Sequence, residues 1–379
     1  MTEPREIALY VHWPFCQAKC PYCDFNSHVT ATVDHGRWRA AFERELERVA
    51  RELPDRILSS IFFGGGTPSL MEPDTAKTVI ASTRRLWPSV NDLEVTLEAN
   101  PTSSEAGKFE RFRDAGVNRV SIGLQSLRDA DLKALGRLHS AAEGIAAFRA
   151  ARDVFDRTSF DLIYARQNQS LEDWNLELSE ALDLEPDHLS LYQLTIEPGT
   201  AFGDRFDRGL LRGLPGDDLS ADLFDLTQDM CEAAGLPAYE TSNHARVGDE
   251  SRHNLTYWRT GDWVGIGPGA HGRFTNENAR IGTTSHRMPT IWLSNVESGT
   301  GEDAREEAPL ADIQDEALLM GLRLREGVPT SRLSPKYLEK VNYINNLTEE
   351  PLLEVAQSNL RLTKHGRPLL NSVLRELLA

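Results

Sequence analysis

The chain is poor in cysteine and in basic charge, and it has no long uncharged apolar run. Four cysteines in 379 residues exclude a disulfide-dense secreted scaffold. Lys and Arg number 41 against 58 Asp and Glu, a net charge of -17. That balance argues against a nucleic-acid partner, whose phosphates must be neutralised by cations. Nothing is apolar enough to span a bilayer. The opening MTEPREIALYVHWPF lacks a basic region followed by an apolar run and a small-residue cleavage site. The expectation is a soluble, cytoplasmic protein without stable membrane insertion. Internal repeats and low-complexity tracts are also lacking.

What is present is a strand followed by a helix, again and again. Expected strands are Ile7–Val11, Ile57–Phe63, Leu93–Ala99, Arg119–Leu124, Ser159–Ala165 and Leu189–Ile196. Between them fall amphipathic stretches. In Asp34–Leu53, Trp38, Phe42, Leu46, Val49 and Leu53 share one face. Others are Pro73–Trp87, a helix around Glu105–Ala115, Ala130–Leu135, Ala141–Val154 and Leu171–Leu184. Six strands alternating with helices imply parallel pairing through right-handed crossovers, either open or curled toward a barrel. In both architectures ligands collect at the carboxyl ends of the strands.

Three of the cysteines fall within eight residues, in HWPFCQAKCPYCDFNSH. Cys16, Cys20 and Cys23 have the spacing C-x3-C-x2-C and follow the first strand. Thiolates on a compact loop can converge on an iron–sulfur cubane. Three thiolates leave one iron open to an exchangeable ligand. Structural zinc is the competing reading, with His12 or His28 as fourth ligand. A redox pair at Cys20 and Cys23 is another, which leaves Cys16 unexplained. Cys231 lies far away in an amphipathic stretch, where a buried apolar thiol is expected.

The polar, acidic, Gly-containing NVESGTGEDAREEA reads as a linker. The implied division is residues 1–294, a linker over 295–311, and a C-terminal unit over 312–379. In that unit Asp312–Arg325 reads as a helix, Leu360–Thr363 as a short strand, and the stripe Leu369 to Leu378 as a last helix. A small, mainly helical domain of winged-helix type is expected.

C-x3-C-x2-C after a first strand resembles the radical S-adenosylmethionine (SAM) proteins. YVHWPFCQAKCPYCDFNSH, FFGGGTPSL, LEANP, RVSIGLQS, LGRLHS, SRHNLTYW and GIGPGAHG together resemble the HemW-type haem chaperones. These are relatives of the oxygen-independent coproporphyrinogen III oxidases. The resemblance runs from Tyr10 to the C-terminus. It implies a partial (β/α)6 barrel and a [4Fe–4S] cluster on Cys16, Cys20 and Cys23. It also implies SAM contacts at Tyr10, Tyr22, Gly65, Gly66, Thr67, Glu98, Gln125, Arg137, Asp161, Ala270 and His271. Carboxylates, an amide and a guanidinium suit the ammonium, carboxylate and hydroxyls of SAM.

His253-Asn254-Leu255-Thr256-Tyr257-Trp258 matches the family's HNxxYW pattern. It implies a haem site within an extension at about 240–290, with His253, Tyr257 and Trp258 in contact. An imidazole can ligate iron and aromatic rings can cover a porphyrin. The implied partners are haem, a haem-acceptor protein and a reductant. The implied function is haem delivery. The alternatives are an anaerobic coproporphyrinogen III oxidase and a zinc-bound module without catalysis.

Three features depart from related patterns. Phe25 stands where the oxidases carry a further Cys, as in the chaperone branch. DLIYARQNQS stands where the family usually reads DLIYGLPGQ, so the fifth strand ends without its Gly and Pro. Val247 also stands where the family often has Pro.

Overall fold

The computed structural model describes residues 5–102, 106–277 and 279–379. Six strands follow one another in space as in sequence: β1 Arg5–Trp13, β2 Arg56–Gly65, β3 Ser89–Ala99, β4 Arg119–Gln125, β5 Arg157–Tyr164 and β6 His188–Gln193. All neighbouring pairs among them are parallel. The helices between them include α1 His35–Glu52, α2 Pro73–Leu86, α3 Phe109–Ala115, α4 Asp129–Ala134, α5 Ala141–Val154 and α6 Leu171–Leu182. Position 105, where the third helix was expected to begin, lies outside the described residues.

These strands alternate. Ile61, Phe63, Val95, Leu97, Val120, Ile122, Phe160, Leu162, Leu189 and Leu191 join the main hydrophobic core. The intervening residues Ser60, Glu94, Thr96, Arg119, Ser121, Ser159, His188 and Ser190 are polar and equally buried. A parallel sheet covered on both faces reads as a continuous apolar run. Period-two alternation means instead that one face meets the helices and the other lines a polar hollow. Hydrogen bonds cross that hollow from strand to strand. Arg119 donates to the Ser159 hydroxyl at 3.2 Å, and Ser159 donates to Ser121 at 2.9 Å.

The partial barrel is extended on both edges into an eleven-stranded sheet. After α7 Ala201–Asp207 and α8 Asp217–Ala233, β7 Asn243–Ala245 pairs antiparallel with β6. Helix α9, Arg252–Trp258, precedes β8 Trp263–Ile266, which runs parallel to β1. β9 His271–Asn276, β10 Ala279–Ser285 and, after α10 Pro289–Ser298, β11 Glu302–Ala308 complete that edge as antiparallel strands. The linker expected over 295–311 is therefore corrected: it holds the end of α10 and all of β11. Backbone pairing with β10 orders β11, and ion pairs reinforce it. Arg305 bonds Glu52 of α1, and Arg48 of α1 bonds Glu302 at 2.6 Å.

A separate core gathers residues from Ala317 to Leu377. Its elements are α11 Leu310–Gly321, β12 Val328–Pro329, α12 Pro335–Asn345, β13 Leu353–Ala356, β14 Asn359–Leu362 and α13 Leu370–Leu378. The strands order as β12-β14-β13. Three helices with a small antiparallel sheet match the winged-helix expectation.

Candidate functional site at the mouth of the barrel

β1 stops at Trp13, and the chain turns over the carboxyl end of the barrel. Cys16, Cys20 and Cys23 sit on this loop as half-buried free thiols. The loop is pinned at several points. Phe15–Cys16 pairs parallel with His28–Val29. His12 Nε2 lies 3.0 Å from the Asn26 carbonyl. The Asn26 amide donates to the carbonyls of Pro268 at 2.9 Å and Arg287 at 2.8 Å. The Thr67 hydroxyl donates to the Cys16 sulfur and Arg137 Nη1 to the Cys20 sulfur, each at 3.4 Å. Burial pushes the Cys16 and Cys23 thiols upward.

The glycines allow β2 to end hard against this loop. A Cβ on Gly66 would lie 2.7 Å from the Phe15 carbonyl oxygen. Gly65 has φ +112, where a Cβ would also strike the His12 ring at 2.7 Å. The Gly66 N–H donates to Trp13 O and the Thr67 N–H to Phe15 O. These two groups therefore hold the loop.

A cavity of about 490 Å³ opens below the thiols. All three cysteines line it, together with Tyr22, Gly65, Gly66, Thr67, Glu98, Gln125, Arg137 and Asp161. Those expected site residues are brought to one place. Burial and the neighbouring Asp161 push Glu98 up to about 8, against a hydrogen bond from the Gly65 N–H. Burial raises Asp161 to about 6, opposed by hydrogen bonds from Ser121 and Ser190. The two carboxyl groups thus share one buried, polar setting in which the proton stays on Glu98 longer than on Asp161. Gln125 has φ +70, a left-handed backbone at the end of β4 that turns the chain into the cavity wall.

The same wall holds residues that the motif reading left out. Asn100 accepts from Arg137 Nη2 at 2.7 Å and donates to the Thr67 hydroxyl at 3.1 Å. It thereby ties the guanidinium to the end of β2. Its place in LEANP carried the signal, although the sequence presented it as a strand stop. Tyr192 and Gln193 at the end of β6 also line the cavity. The alternation His188, Ser190, Tyr192 carries the signal for Tyr192.

Other expected residues lie elsewhere. Tyr10 sits one layer deeper, its hydroxyl 3.0 Å from His12 Nδ1. Ala270 is buried and His271 is exposed, and neither lines the cavity. His253 is fully enclosed within the barrel. Its Nδ1 lies 2.9 Å from the Ser60 hydroxyl and its Nε2 2.6 Å from the Tyr257 hydroxyl. Its ring stacks on Phe62 with centroids 4.9 Å apart. Burial lowers His253 to about 3, so it is neutral. Trp258 is half-buried under the guanidinium of Arg323. The expected haem ligand is thus the floor of the polar hollow in this structure, with both ring nitrogens engaged.

A parallel half-barrel with three thiols at its carboxyl end defines a radical SAM protein. The family model of the radical SAM superfamily matches residues 10–177, and that of the HemN C-terminal domain matches 309–369. The chain is 37% identical to heme chaperone HemW of Escherichia coli, with all of both chains covered. It is 36% identical to heme chaperone HemW of Mycobacterium tuberculosis, covering 99% of this chain and 95% of that one. It is 38% identical to mitochondrial radical S-adenosyl methionine domain-containing protein 1 of Mus musculus, covering 100% and 88%. The solved structure of coproporphyrinogen III oxidase (HemN) from Escherichia coli superposes with a TM-score of 0.81, at 20% identity, over 99% of this chain and 90% of that one. The chain belongs to the HemW family of radical SAM proteins.

Proposed function

We propose that this protein holds a [4Fe–4S] cluster on Cys16, Cys20 and Cys23, binds SAM in the adjoining cavity, and carries haem to an acceptor protein. The observation that carries this reading is the arrangement of three free thiols around one cavity that Glu98 and Asp161 also line. A cubane takes one thiolate per iron, so its ligands ring a volume. Zinc draws its ligands to one point. Among the described residues, no group of three or more His, Cys, Asp or Glu side chains could hold a single metal ion. Both considerations favour the cluster.

The protein's own groups have definite tasks in this reading. Burial keeps Cys16 and Cys23 protonated until metal displaces the protons. Thr67 and Arg137 orient two of the sulfurs. A volume of about 490 Å³ is ample for a nucleoside-sized ligand. Glu98 and Asp161 would suit the cationic and hydroxyl groups of SAM, and Arg137 would suit its carboxylate. When bound, the cluster and SAM together supply one-electron cleavage of a sulfonium to a carbon radical. That chemistry needs a reductant, either a protein or a small donor.

Haem is assigned from the family. Its relatives of 36–38% identity over nearly the whole chain include the heme chaperones of two bacteria. Phe25, 57% exposed at the cavity, stands where the oxidases carry a further thiol. Among the described residues no helix is long and apolar enough to cross a membrane. Free thiols suit a reducing compartment, and we assign the protein to the cytoplasm.

Anaerobic reconstitution followed by haemin titration tests the reading. A Soret band that saturates at one haem per chain is expected, without conversion of coproporphyrinogen to protoporphyrinogen. Conversion of that substrate would replace the chaperone reading with the oxidase one.

A further inference from the structure

A haem carrier needs an imidazole that haem can reach, and the structure narrows that choice. Of the ten histidines, only His271 and His365 are exposed. His365 belongs to the C-terminal unit, where it pairs with Glu350 at 2.8 Å. His12 is bonded at both ring nitrogens, to Tyr10 and to Asn26. His253 is likewise bonded at both, to Ser60 and Tyr257. His271 differs. Its Nδ1 lies 3.3 Å from the Thr284 hydroxyl across the β9–β10 ladder, which leaves Nε2 as the nitrogen for a further partner. A hydrogen bond at one ring nitrogen is the usual way to fix an imidazole for metal ligation through the other. Burial and the guanidiniums of Arg273 and Arg287 hold the ring below its ordinary pKa, so it is neutral, the form that binds iron.

The surroundings of His271 suit a porphyrin. Asn26 donates to the carbonyls of Pro268 and Arg287, and the Gly269 N–H donates to the His286 carbonyl at 3.0 Å. These bonds lace together the segments that carry Phe25, His271 and Met288. Phe25 and Met288 are 57% and 49% exposed, apolar surface that a macrocycle could cover. Arg273 is engaged by Glu316 at 3.6 Å, whereas Arg287 is exposed. An exposed guanidinium at the rim matches a propionate.

We propose that haem seats on this rim, with His271 Nε2 as axial ligand, Phe25 and Met288 against the macrocycle, and Arg287 on a propionate. The proposal rests on the haem-carrier reading above and gives it a site. An open, one-sided seat buries less of the macrocycle than a closed pocket, which suits a protein that must release its cargo.

Haemin titration of the reconstituted parent, His271→Ala, Arg287→Ala and His365→Ala, read by Soret absorbance, tests the site. His271→Ala is expected to weaken binding about tenfold or more and to shift the Soret band, with cluster iron unchanged. Added imidazole is expected to restore the band. Arg287→Ala is expected to weaken binding by about threefold, and His365→Ala to match the parent. A His271→Ala protein that titrates as the parent does, with the same band, would overturn the proposal. A parent that takes up no haem would instead overturn the haem-carrier reading itself.

Discussion

His253 and Tyr257, one turn apart on α9, are bonded to each other inside the barrel, with 2.6 Å between Nε2 and the phenol oxygen. Ser60 takes the other ring nitrogen at 2.9 Å, so the pair closes the lower end of the polar hollow. Removing the imidazole leaves a cavity and two stranded hydroxyls. His253→Ala is expected to destabilise the protein by about 2–4 kcal/mol, and chemical denaturation measures it. A loss below about 0.5 kcal/mol would mean that α9 is only loosely seated.

Cysteine replacement separates the cluster loop from the core. Cys16→Ala, Cys20→Ala and Cys23→Ala are each expected to lose the cluster iron. Cys231, fully buried against the core and pushed up to about 12 by burial, lies outside the cavity. Cys231→Ala is expected to keep full iron loading at a stability cost of about 1 kcal/mol. Iron analysis of the reconstituted variants distinguishes them.

Glu98 gives the cluster-free protein a pH signature. Its carboxyl is raised to about 8 in the fold, against an ordinary value near 4.3 in the unfolded chain. Between those values the folded state holds a proton that the unfolded state has lost. Stability therefore falls as pH rises through that window and levels off above about 8. Glu98→Gln removes this dependence, so the variant should gain on the parent between pH 5 and 8. Denaturation midpoints at the two pH values provide the check. A parallel fall in both proteins would place the titration elsewhere.

The end of β5 stores strain. Ala165 has φ +56 and Asn168 φ +57, at the two positions where related sequences read Gly. The backbone has kept its turn while losing the residue that adopts it freely. Arg166 between them is buried, and its guanidinium bonds Glu177 and Asp131 at 2.5 and 2.8 Å. These bonds hold the turn. Ala165→Gly is expected to raise stability by about 0.5–1 kcal/mol, measurable as a higher thermal midpoint. A lower midpoint would show that the methyl group packs better than the left-handed backbone costs.

The six parallel strands were legible because each is a compact apolar run set between amphipathic helices. Their polar face was present as alternation, strict in LEVTLEA but confined to SFDL in RTSFDLIY, and it did not show in a reading of the strands as buried runs. The antiparallel edge was not. Asn243–Ala245 is three residues long, and EDAREEA shows no buried position along its strand. Backbone pairing with β10 and ion pairs to α1 make Glu302–Ala308 a strand, and neither leaves a hydrophobic pattern. In the site, short motifs announced the thiols, Glu98, Arg137 and Asp161. The enclosure of His253 was invisible because it depends on Ser60 and Phe62, some 190 positions earlier in the chain.

The most direct measurement is the iron and sulfide content of the anaerobically reconstituted protein, with its electron paramagnetic resonance spectrum before and after SAM. Iron and sulfide in equal amounts, and a spectrum that SAM perturbs, are expected from three thiolates around an open-cornered cubane. Stoichiometric zinc at that loop, with no iron taken up, would contradict it.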